Sequence, residues 1–378
     1  MLRFSFRKSW RAWAFLCAPF VANTATAAVL PPLDSSSPFA EYGLGFSQNR
    51  LYLHTGDSIY RLGQDAGGND EWQLHIAGLE SAFSSGLRGF EGDFATAPNH
   101  GMAAISMGFT DGGVLHVDLN NATTSEITTL DTANIFSLAG SPDGSFAGMN
   151  AFFDAGTLTF NATQIVAIDP VTGSHSVLIQ EAAPGEFSGG VAFDEQGNLY
   201  LSTFVSTFPN PVGVATFYFV AAADLKAGSL APGDMVTLGT ATTNGSNSLA
   251  VNDRGDLFFA SQTGIGVLRA GAAAAETYFG DLTEDIFAGP TSFLITGGLA
   301  IDPRSEELLF IDNSGQAAQL TRLPTLVDAT PVPEPITLFT LGFAALLFTR
   351  RPRPGADHQS KLAVVANQVP THRTFKGL

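Results

Sequence analysis

The sequence predicts an all-β protein whose body is a six-bladed β-propeller, with seven blades as the alternative. Charged residues make up only 14% of the chain, whereas glycine occurs 40 times and phenylalanine 31 times, a composition typical of turn-rich sheet proteins. A segment of about 51 residues also recurs six times and fills nearly all of residues 28–329. Four short antiparallel strands repeated at this period are typical of propeller blades.

Each repeat begins with a predicted β-hairpin. The clearest copies are "GGVAFDEQGNLYLSTF" from Gly189, "NSLAVNDRGDLFFASQ" from Asn247 and "GGLAIDPRSEELLFID" from Gly297. Each consists of an apolar run, a Gly/Asp/Asn turn and a second apolar run, which is the pattern of a hairpin. In each repeat a small residue, which we call the marker, lies five positions before the turn glycine. In the first and last copies this spacing differs by one residue. The six markers are Gly45, Thr96, Ala139, Ala192, Ala250 and Ala300.

A third strand is predicted downstream of each marker, such as "SIYRL" from Ser58, and most repeats leave room for a fourth, such as "HSVLIQ" from His175. A stacked solenoid is the competing architecture, but hairpins at this period favour radial closure. The repeats resemble the blades of NHL and gluconolactonase-like propellers, which carry runs like "GLAVDxxGNLYVA". This resemblance covers the three later repeats well and the first two poorly, and it implies six blades around a central channel. The predicted propeller spans residues 28–325.

Residues 1–27 are typical of a secretory signal peptide. The basic stretch "MLRFSFRKSWR" precedes the apolar run "AWAFLCAPFVA" and the small-residue region "NTATAA". Ala25 and Ala27 satisfy the small-x-small rule, so we expect cleavage after Ala27 or one residue later. The single cysteine, Cys17, would be removed with this peptide. Disulfides, thiolate metal sites and cysteine catalysis are therefore excluded from the mature chain.

The body of the chain is strongly acidic. Residues 28–349 hold 8 of the 18 basic residues and 34 of the 35 acidic ones, a net charge of about −26. Nucleic acids and anionic lipids bind basic surfaces, so neither is expected to bind this body. Divalent cations and basic partners are compatible with it, although a solvated acidic surface that maintains solubility is the simpler interpretation.

A linker at residues 326–331 leads into a short apolar run, Ile336–Thr349. The run is shorter than the roughly 20 residues of a spanning helix. Its setting resembles the PEP-CTERM sorting signal of Gram-negative bacteria that secrete extracellular polysaccharide, so residues 332–351 are interpreted as a sorting and membrane segment with a short hydrophobic helix. The residues that match the motif are Pro333, Glu334, Pro335, Arg350 and Arg351.

This resemblance implies that an exosortase recognises the Pro-Glu-Pro motif, cleaves the chain there and passes the body to the cell surface or the extracellular polysaccharide matrix. The positive-inside rule agrees, because the arginines would hold the end of the chain on the cytoplasmic side. Members of the family usually end soon after the arginines, whereas this chain continues through residues 352–378. We expect that polar tail to be disordered. The tail either impairs processing or is an incidental extension.

The sequence contains no nucleotide-binding glycine loop, no nucleophile elbow and no H-E-x-x-H motif. The five histidines of the body are scattered, and we expect them in loops or on strand surfaces. The residue two positions after the marker is Asp194, Asn252 or Asp302 in the later repeats. At the ends of the innermost strands, these side chains would converge on the channel, where oxygen ligands suit calcium.

The gluconolactonase-like resemblance implies acidic and amide metal ligands in the same region. Asn247 is similar to the asparagine of the family's "NGLA" ligand strand, although Ser248 replaces the glycine and no matching glutamate or catalytic base is evident. In the alternative interpretation, Asp194, Asn252 and Asp302 cap their turns by accepting hydrogen bonds from backbone N–H groups.

Two functions therefore stand as hypotheses. The leading one is a non-catalytic exported propeller, processed by an exosortase, that binds an extracellular glycan, a surface protein or an ion through one face. The alternative is a calcium-dependent lactonase or related hydrolase that uses the channel carboxylates. A purely structural matrix protein is indistinguishable from the first by sequence.

Overall fold

Short antiparallel strands account for almost all of the regular structure in this computed structural model. The structure describes residues 29–34, 42–83, 91–107, 113–127, 134–154, 159–180, 187–205, 212–226, 230–246, 248–283, 298–312 and 318–325. The predicted signal peptide, linker, sorting segment and tail lie outside these residues, as does Asn247. Within the described ranges, no helix is both long and apolar enough to cross a bilayer.

The strands form six successive sheets, which we call blades 1 to 6. Blade 1 comprises β1 (Gly43–Ser47), β2 (Arg50–His54), β3 (Ser58–Gln64) and β4 (Asp70–Ala77), and blade 2 comprises β5 (Glu91–Ala97), β6 (Met102–Met107), β7 (Gly113–Asp118) and β8 (Thr123–Ile127). Blade 3 comprises β9 (Asn134–Gly140), β10 (Phe146–Asp154), β11 (Thr159–Ile168) and β12 (His175–Gln180), and blade 4 comprises β13 (Phe187–Phe193), β14 (Leu199–Val205), β15 (Gly213–Val220) and β16 (Val236–Thr243). Blade 5 comprises β17 (Ser248–Val251), β18 (Leu257–Ala260), β19 (Gly264–Leu268) and β20 (Glu276–Gly280), and blade 6 comprises β21 (Leu299–Ile301), β22 (Glu307–Asp312) and β23 (Gln319–Pro324). Helix α1 (Ala222–Leu225) and two one-turn 3-10 helices, Glu80–Ala82 and Pro232–Asp234, lie in connections.

The blades close into a ring. In each blade the strands follow one another in sequence order, and every neighbouring pair is antiparallel. The first strand of each blade contacts the first strand of the next, and β21 of blade 6 contacts β1 of blade 1. The innermost strands therefore form one closed circle. This arrangement confirms the six-bladed prediction, and the seven-bladed alternative is wrong.

The hydrophobic core is divided into six layers, one between each pair of adjacent blades. Blade 5 illustrates why: Leu249 and Phe259 pack against blade 4, whereas Ala250 and Phe258 pack against blade 6. Both faces of a blade are thus buried, so its inner strands are continuous apolar runs rather than alternating ones. The run "LFFA" at β18 is an example, since Leu257, Phe258 and Phe259 are all inaccessible to solvent.

The junction between blades 6 and 1 is closed by side chains. Leu30, which precedes β1, packs with Leu309 and Ile311 of β22. At the outer edge, the guanidinium of Arg322 on β23 lies 3.8 Å from the carboxylate of Asp70 on β4. Within the described residues, blade 6 has three strands where the other blades have four.

Candidate functional site

A cavity lies at the centre of the ring. Its volume is about 380 Å³, and residues from all six blades line it. The repeat markers identified in the sequence all contribute to its wall: Gly45, Thr96, Ala139, Ala192, Ala250 and Ala300. Every repeat marker therefore lies on the wall of the channel.

The markers are small because neighbouring innermost strands approach each other closely. A Cβ atom on Gly45 would lie 2.6 Å from the side chain of Thr96 in the next blade. A Cβ atom on Gly140, next to the marker of blade 3, would lie 2.1 Å from the backbone oxygen of Thr96. The hydroxyl of Thr96 in turn donates to the carbonyl of Phe46 at 2.7 Å. Larger side chains would push the inner strands apart.

One end of the channel, which we call the mouth, is formed by the turns that connect the first and second strands of the blades. Four of these turns have a glycine in the left-handed region, five positions after the marker: Gly101, Gly144, Gly197 and Gly255, with φ of 64°, 93°, 81° and 80°. Blades 1 and 6 instead use Asn49 and Glu306, at φ of 59° and 55°. These two exceptions explain the one-residue adjustments in the sequence repeat, because their turns differ in length.

Asp194, Asn252 and Asp302 are the first residues of these turns in blades 4, 5 and 6. Asp194 Oδ1 accepts hydrogen bonds from the backbone N–H groups two and four residues later, at 3.0 and 2.9 Å. Asn252 Oδ1 accepts the corresponding pair at 3.0 and 2.9 Å, and Asp302 Oδ1 accepts from the N–H two residues later at 2.8 Å. The turn-capping interpretation of these residues is confirmed.

The second carboxylate oxygen of the two aspartates is also engaged. Asp194 Oδ2 accepts from the side chain of Asn198 at 2.8 Å and from the hydroxyl of Tyr200 at 3.3 Å. Burial and the charge of Asp194 raise the pKa of Tyr200 to about 12. Asp302 Oδ2 lies 4.0 Å from the guanidinium of Arg322.

The structure brings three of the four predicted calcium ligands to one cavity, because Asp194, Asn252 and Asp302 all line it. The fourth, Asn247, lies outside the described residues. In the described part of the chain, no group of three or more histidine, cysteine, aspartate or glutamate residues is close enough to hold a metal ion. Calcium binding at these positions stays a prediction.

The lining of the mouth is acidic on one side. Blades 4 to 6 contribute five carboxylates, which we call the acidic arc: Asp194, Glu195, Asp253, Asp302 and Glu306. Among the described residues that line the cavity, none is lysine, arginine or histidine. Asp302 has the nearby guanidinium of Arg322, but the net charge of the lining is negative, so the field inside the mouth repels anions and attracts cations.

The other side of the mouth is uncharged. Blades 1 and 2 contribute Asn49 and Asn99, which we call the amide arc, and the half-buried ring of Phe46 lies on the same side. The half-buried ring of Phe193 lies on blade 4, beside the acidic arc. Asp93 of blade 2 also lines the cavity, but at the end of β5 away from the mouth. A concave site with apolar walls and a few polar groups is the usual form of a small-molecule site. The mouth thus presents two chemically different halves to whatever enters it.

Deeper in the ring, side chains satisfy backbone groups of the next blade. Asp93 Oδ2 accepts from the hydroxyl of Ser137 at 3.2 Å and from the backbone N–H of Leu138 at 3.1 Å. Ser137 Oγ accepts from the N–H of Val191 at 3.2 Å. Sequence reasoning missed these residues, although a signal exists: Ser137 and Ser248 both lie two positions before the marker.

No protein-family model matches this sequence, and no curated protein matches it. Among solved structures, the chain is similar to XC5397 of Xanthomonas campestris, described as a gluconolactonase important in glucose secondary metabolic pathways. That similarity has 14% identity and a TM-score of 0.47, and it covers 75% of this chain and 87% of the other.

Two further solved structures are similar to a comparable degree. One is a calcium-binding protein, regucalcin, of Agrobacterium tumefaciens, at 13% identity and a TM-score of 0.46, covering 79% of this chain and 95% of the other. The other is the PQQ domain of pyranose dehydrogenase from Coprinopsis cinerea, at 11% identity and a TM-score of 0.47, covering 76% and 94%. At these identities, what the three proteins bind or catalyse does not transfer to this chain.

Proposed function

We propose that this chain is an exported β-propeller that an exosortase processes and that binds a ligand in the mouth of its channel. The site of action is the surface or the extracellular polysaccharide matrix of a Gram-negative bacterium. Before processing, the C-terminal segment holds the chain in the inner membrane. The bound partner is an extracellular glycan or a surface protein, and binding does not involve catalysis.

This proposal rests on the position of the Pro-Glu-Pro motif, which follows the end of the ring. The last strand, β23, ends at Pro324, and by then β21 already contacts β1. The Pro-Glu-Pro motif begins nine residues later, at Pro333. Cleavage at the motif would therefore release every blade and cut none. A sorting signal needs this order, because the exported body must keep its fold after its membrane segment is removed.

The mouth supports the binding part of the proposal. Its volume of about 380 Å³ falls within the range of small-molecule sites. The turns that form it are stabilised by their own capping side chains, such as Asp194 and Asn252. A site whose wall is fixed before binding loses little conformational entropy when the ligand arrives.

Intact mass spectrometry of the protein from each cell fraction tests the export proposal. We expect a mature form that begins near Ala28 and ends between Pro333 and Pro335, recovered outside the inner membrane. A Glu334→Ala variant is the matched control, because it alters the motif and leaves the propeller unchanged. A wild-type protein that keeps its tail through Leu378 in the inner membrane would contradict the proposal, since the apolar segment would then be a plain anchor.

The calcium-dependent hydrolase is the second candidate, because Asp194, Asn252 and Asp302 line one cavity. Calorimetric titration of the protein with calcium, together with an assay of lactone hydrolysis, tests it. Calcium binding that Asn252→Ala abolishes, accompanied by hydrolysis, would favour this function over the non-catalytic one. A protein that neither binds calcium nor hydrolyses lactones would remove it.

A further inference from the structure

We infer that the mouth of the channel binds an amino sugar through its protonated amine. This inference rests on the proposed binding function and names the class of ligand. The ammonium group would lie against the acidic arc of blades 4 to 6, and the hydroxyl groups of the sugar would face the amide arc of blades 1 and 2. Three properties of the mouth lead to this assignment.

The first property is that three carboxylates of the acidic arc are available to a ligand. Glu195 and Asp253 are exposed, and Glu306 is half-buried. Unlike Asp194 and Asp302, none of the three has a side-chain hydrogen bond or ion pair to another described residue. Their charges are not neutralised within the cavity, because no basic side chain of the described residues lines it. A cation that enters the mouth would therefore be attracted by all three.

The second property is that the carboxylates are spread around the rim rather than gathered at one point. The described residues hold no group of three acidic or histidine side chains at metal-binding separation. A calcium ion needs six to eight oxygen ligands at about 2.3–2.6 Å. An ammonium group needs at most three acceptors, at about 2.7–2.9 Å and in different directions, so it suits dispersed carboxylates better.

The third property is the uncharged half of the mouth. The side-chain amides of Asn49 and Asn99 can each donate and accept hydrogen bonds, which matches the hydroxyl groups of a sugar. On the same side, the half-buried ring of Phe46 provides apolar surface against which the C–H face of a pyranose ring can pack. Phe193 provides a second half-buried ring on blade 4, beside the acidic arc, where the ammonium group can pack. A lysine side chain carries the same charge but has no hydroxyl groups for the amide arc.

Arginine residues are present at the same end of the ring but do not oppose this assignment. Arg254 and Arg304 are exposed residues of the turns in blades 5 and 6, and Arg50 is the exposed first residue of β2 in blade 1. None of them lines the cavity. Anionic sugars that enter the cavity would therefore meet Glu195, Asp253 and Glu306 without a basic partner, and uronic acids are disfavoured.

Isothermal titration calorimetry of the full protein with three probes tests the inference. The probes are a glucosamine trisaccharide with its amines protonated, the N-acetylated trisaccharide as the uncharged control, and a trilysine peptide. We expect binding of the glucosamine trisaccharide alone, and weaker binding at higher salt because exposed charges are screened. Replacement of one carboxylate, as in Glu195→Gln, should weaken binding about fivefold, the size of one exposed ion pair.

A triple variant, Glu195→Gln with Asp253→Asn and Glu306→Gln, should weaken binding roughly a hundredfold if the effects add. The matched control is Glu71→Gln, an exposed glutamate on β4 far from the cavity lining, which should leave binding unchanged. Equal binding of the N-acetylated probe, equal binding of trilysine, or no binding to any probe would each overturn the inference. The export proposal would survive each of these results, because its own test is the mass of the processed chain.

Discussion

The burial of His54 makes a prediction about the pH dependence of stability. His54 lies on β2 and is only 3% exposed. Its Nε2–H donates to the carbonyl of Gly56 at 2.8 Å, and its ring stacks on Phe94 of blade 2 with centroids 5.6 Å apart. Burial lowers the pKa of His54 to about 4, against the opposing effects of the Gly56 carbonyl and the charge of Asp34. Folding therefore keeps this imidazole neutral.

The sign and size of the effect follow from linkage. The unfolded chain protonates His54 near its ordinary pKa of 6.5, whereas the folded chain does so only near pH 4. Between these values the unfolded state binds more protons, so the free energy of unfolding falls as the pH is lowered. The expected loss is about 2 kcal/mol on going from about pH 7 to about pH 5, and about 3 kcal/mol in total below pH 4.

The test compares the wild type with a His54→Ile variant. Isoleucine fits this position of a blade, because Ile105 on β6 and Ile311 on β22 occupy the same position in their own blades. Urea unfolding at both pH values, followed by the fluorescence of the buried Trp72, gives the free energy of unfolding. Carboxylates contribute to both proteins and cancel in the difference. We expect the wild type to lose about 2 kcal/mol more than the variant between the two pH values. Equal losses would refute the assignment of a neutral buried His54.

Three further variants test the packing of the ring by urea unfolding. Gly140→Ala, whose Cβ would lie 2.1 Å from the backbone oxygen of Thr96, should lower the free energy of unfolding by about 1–3 kcal/mol. The control, Gly233→Ala, meets no atom within 4 Å and should leave the free energy of unfolding unchanged. Equal effects of the two variants would contradict the close approach of blades 2 and 3. Phe259→Ala removes a fully buried ring and should lower the free energy of unfolding by about 3–5 kcal/mol. A decrease below about 1 kcal/mol would show that the layer between blades 4 and 5 is not packed as described. Arg322→Gln should cost less than about 1 kcal/mol and nothing measurable at high salt, whereas a large salt-independent cost would mean that this arginine closes the ring.

The sequence was sufficient to predict the blades because two local requirements repeat with every turn of the ring. One is a small residue where the innermost strands approach, and the other is a left-handed residue in the turn that follows. Both are visible in the sequence around Ala192 and Gly197 and around Ala250 and Gly255. The first repeat departs from the common sequence pattern because Asn49 takes the left-handed position that glycine holds in blades 2 to 5. Asparagine tolerates this conformation, so the turn is kept while its sequence signature is lost.

The candidate site could be predicted only in part, because its properties depend on which blades lie side by side. The register of each repeat placed Asp194, Asn252 and Asp302 at the ends of the innermost strands, and they do line one cavity. The repeat says nothing about the residues that differ from blade to blade. That the acids at the mouth gather on blades 4 to 6, opposite Asn49 and Asn99, becomes visible only when the ring is closed.

His54, which the sequence suggested would lie in a loop or on a strand surface, is another residue whose environment depends on a neighbouring blade. Nothing in "RLYLHTG" distinguishes His54 from an exposed strand residue, because both faces of a blade are buried and the usual alternation of polar and apolar residues is lost. Its environment is decided by Phe94, which lies 40 residues away in the sequence and belongs to the next blade. The contact that buries His54 runs between blades, whereas the sequence pattern describes one blade at a time. Differences between the repeats, rather than the repeat itself, therefore decide how the chemistry of the channel varies from blade to blade.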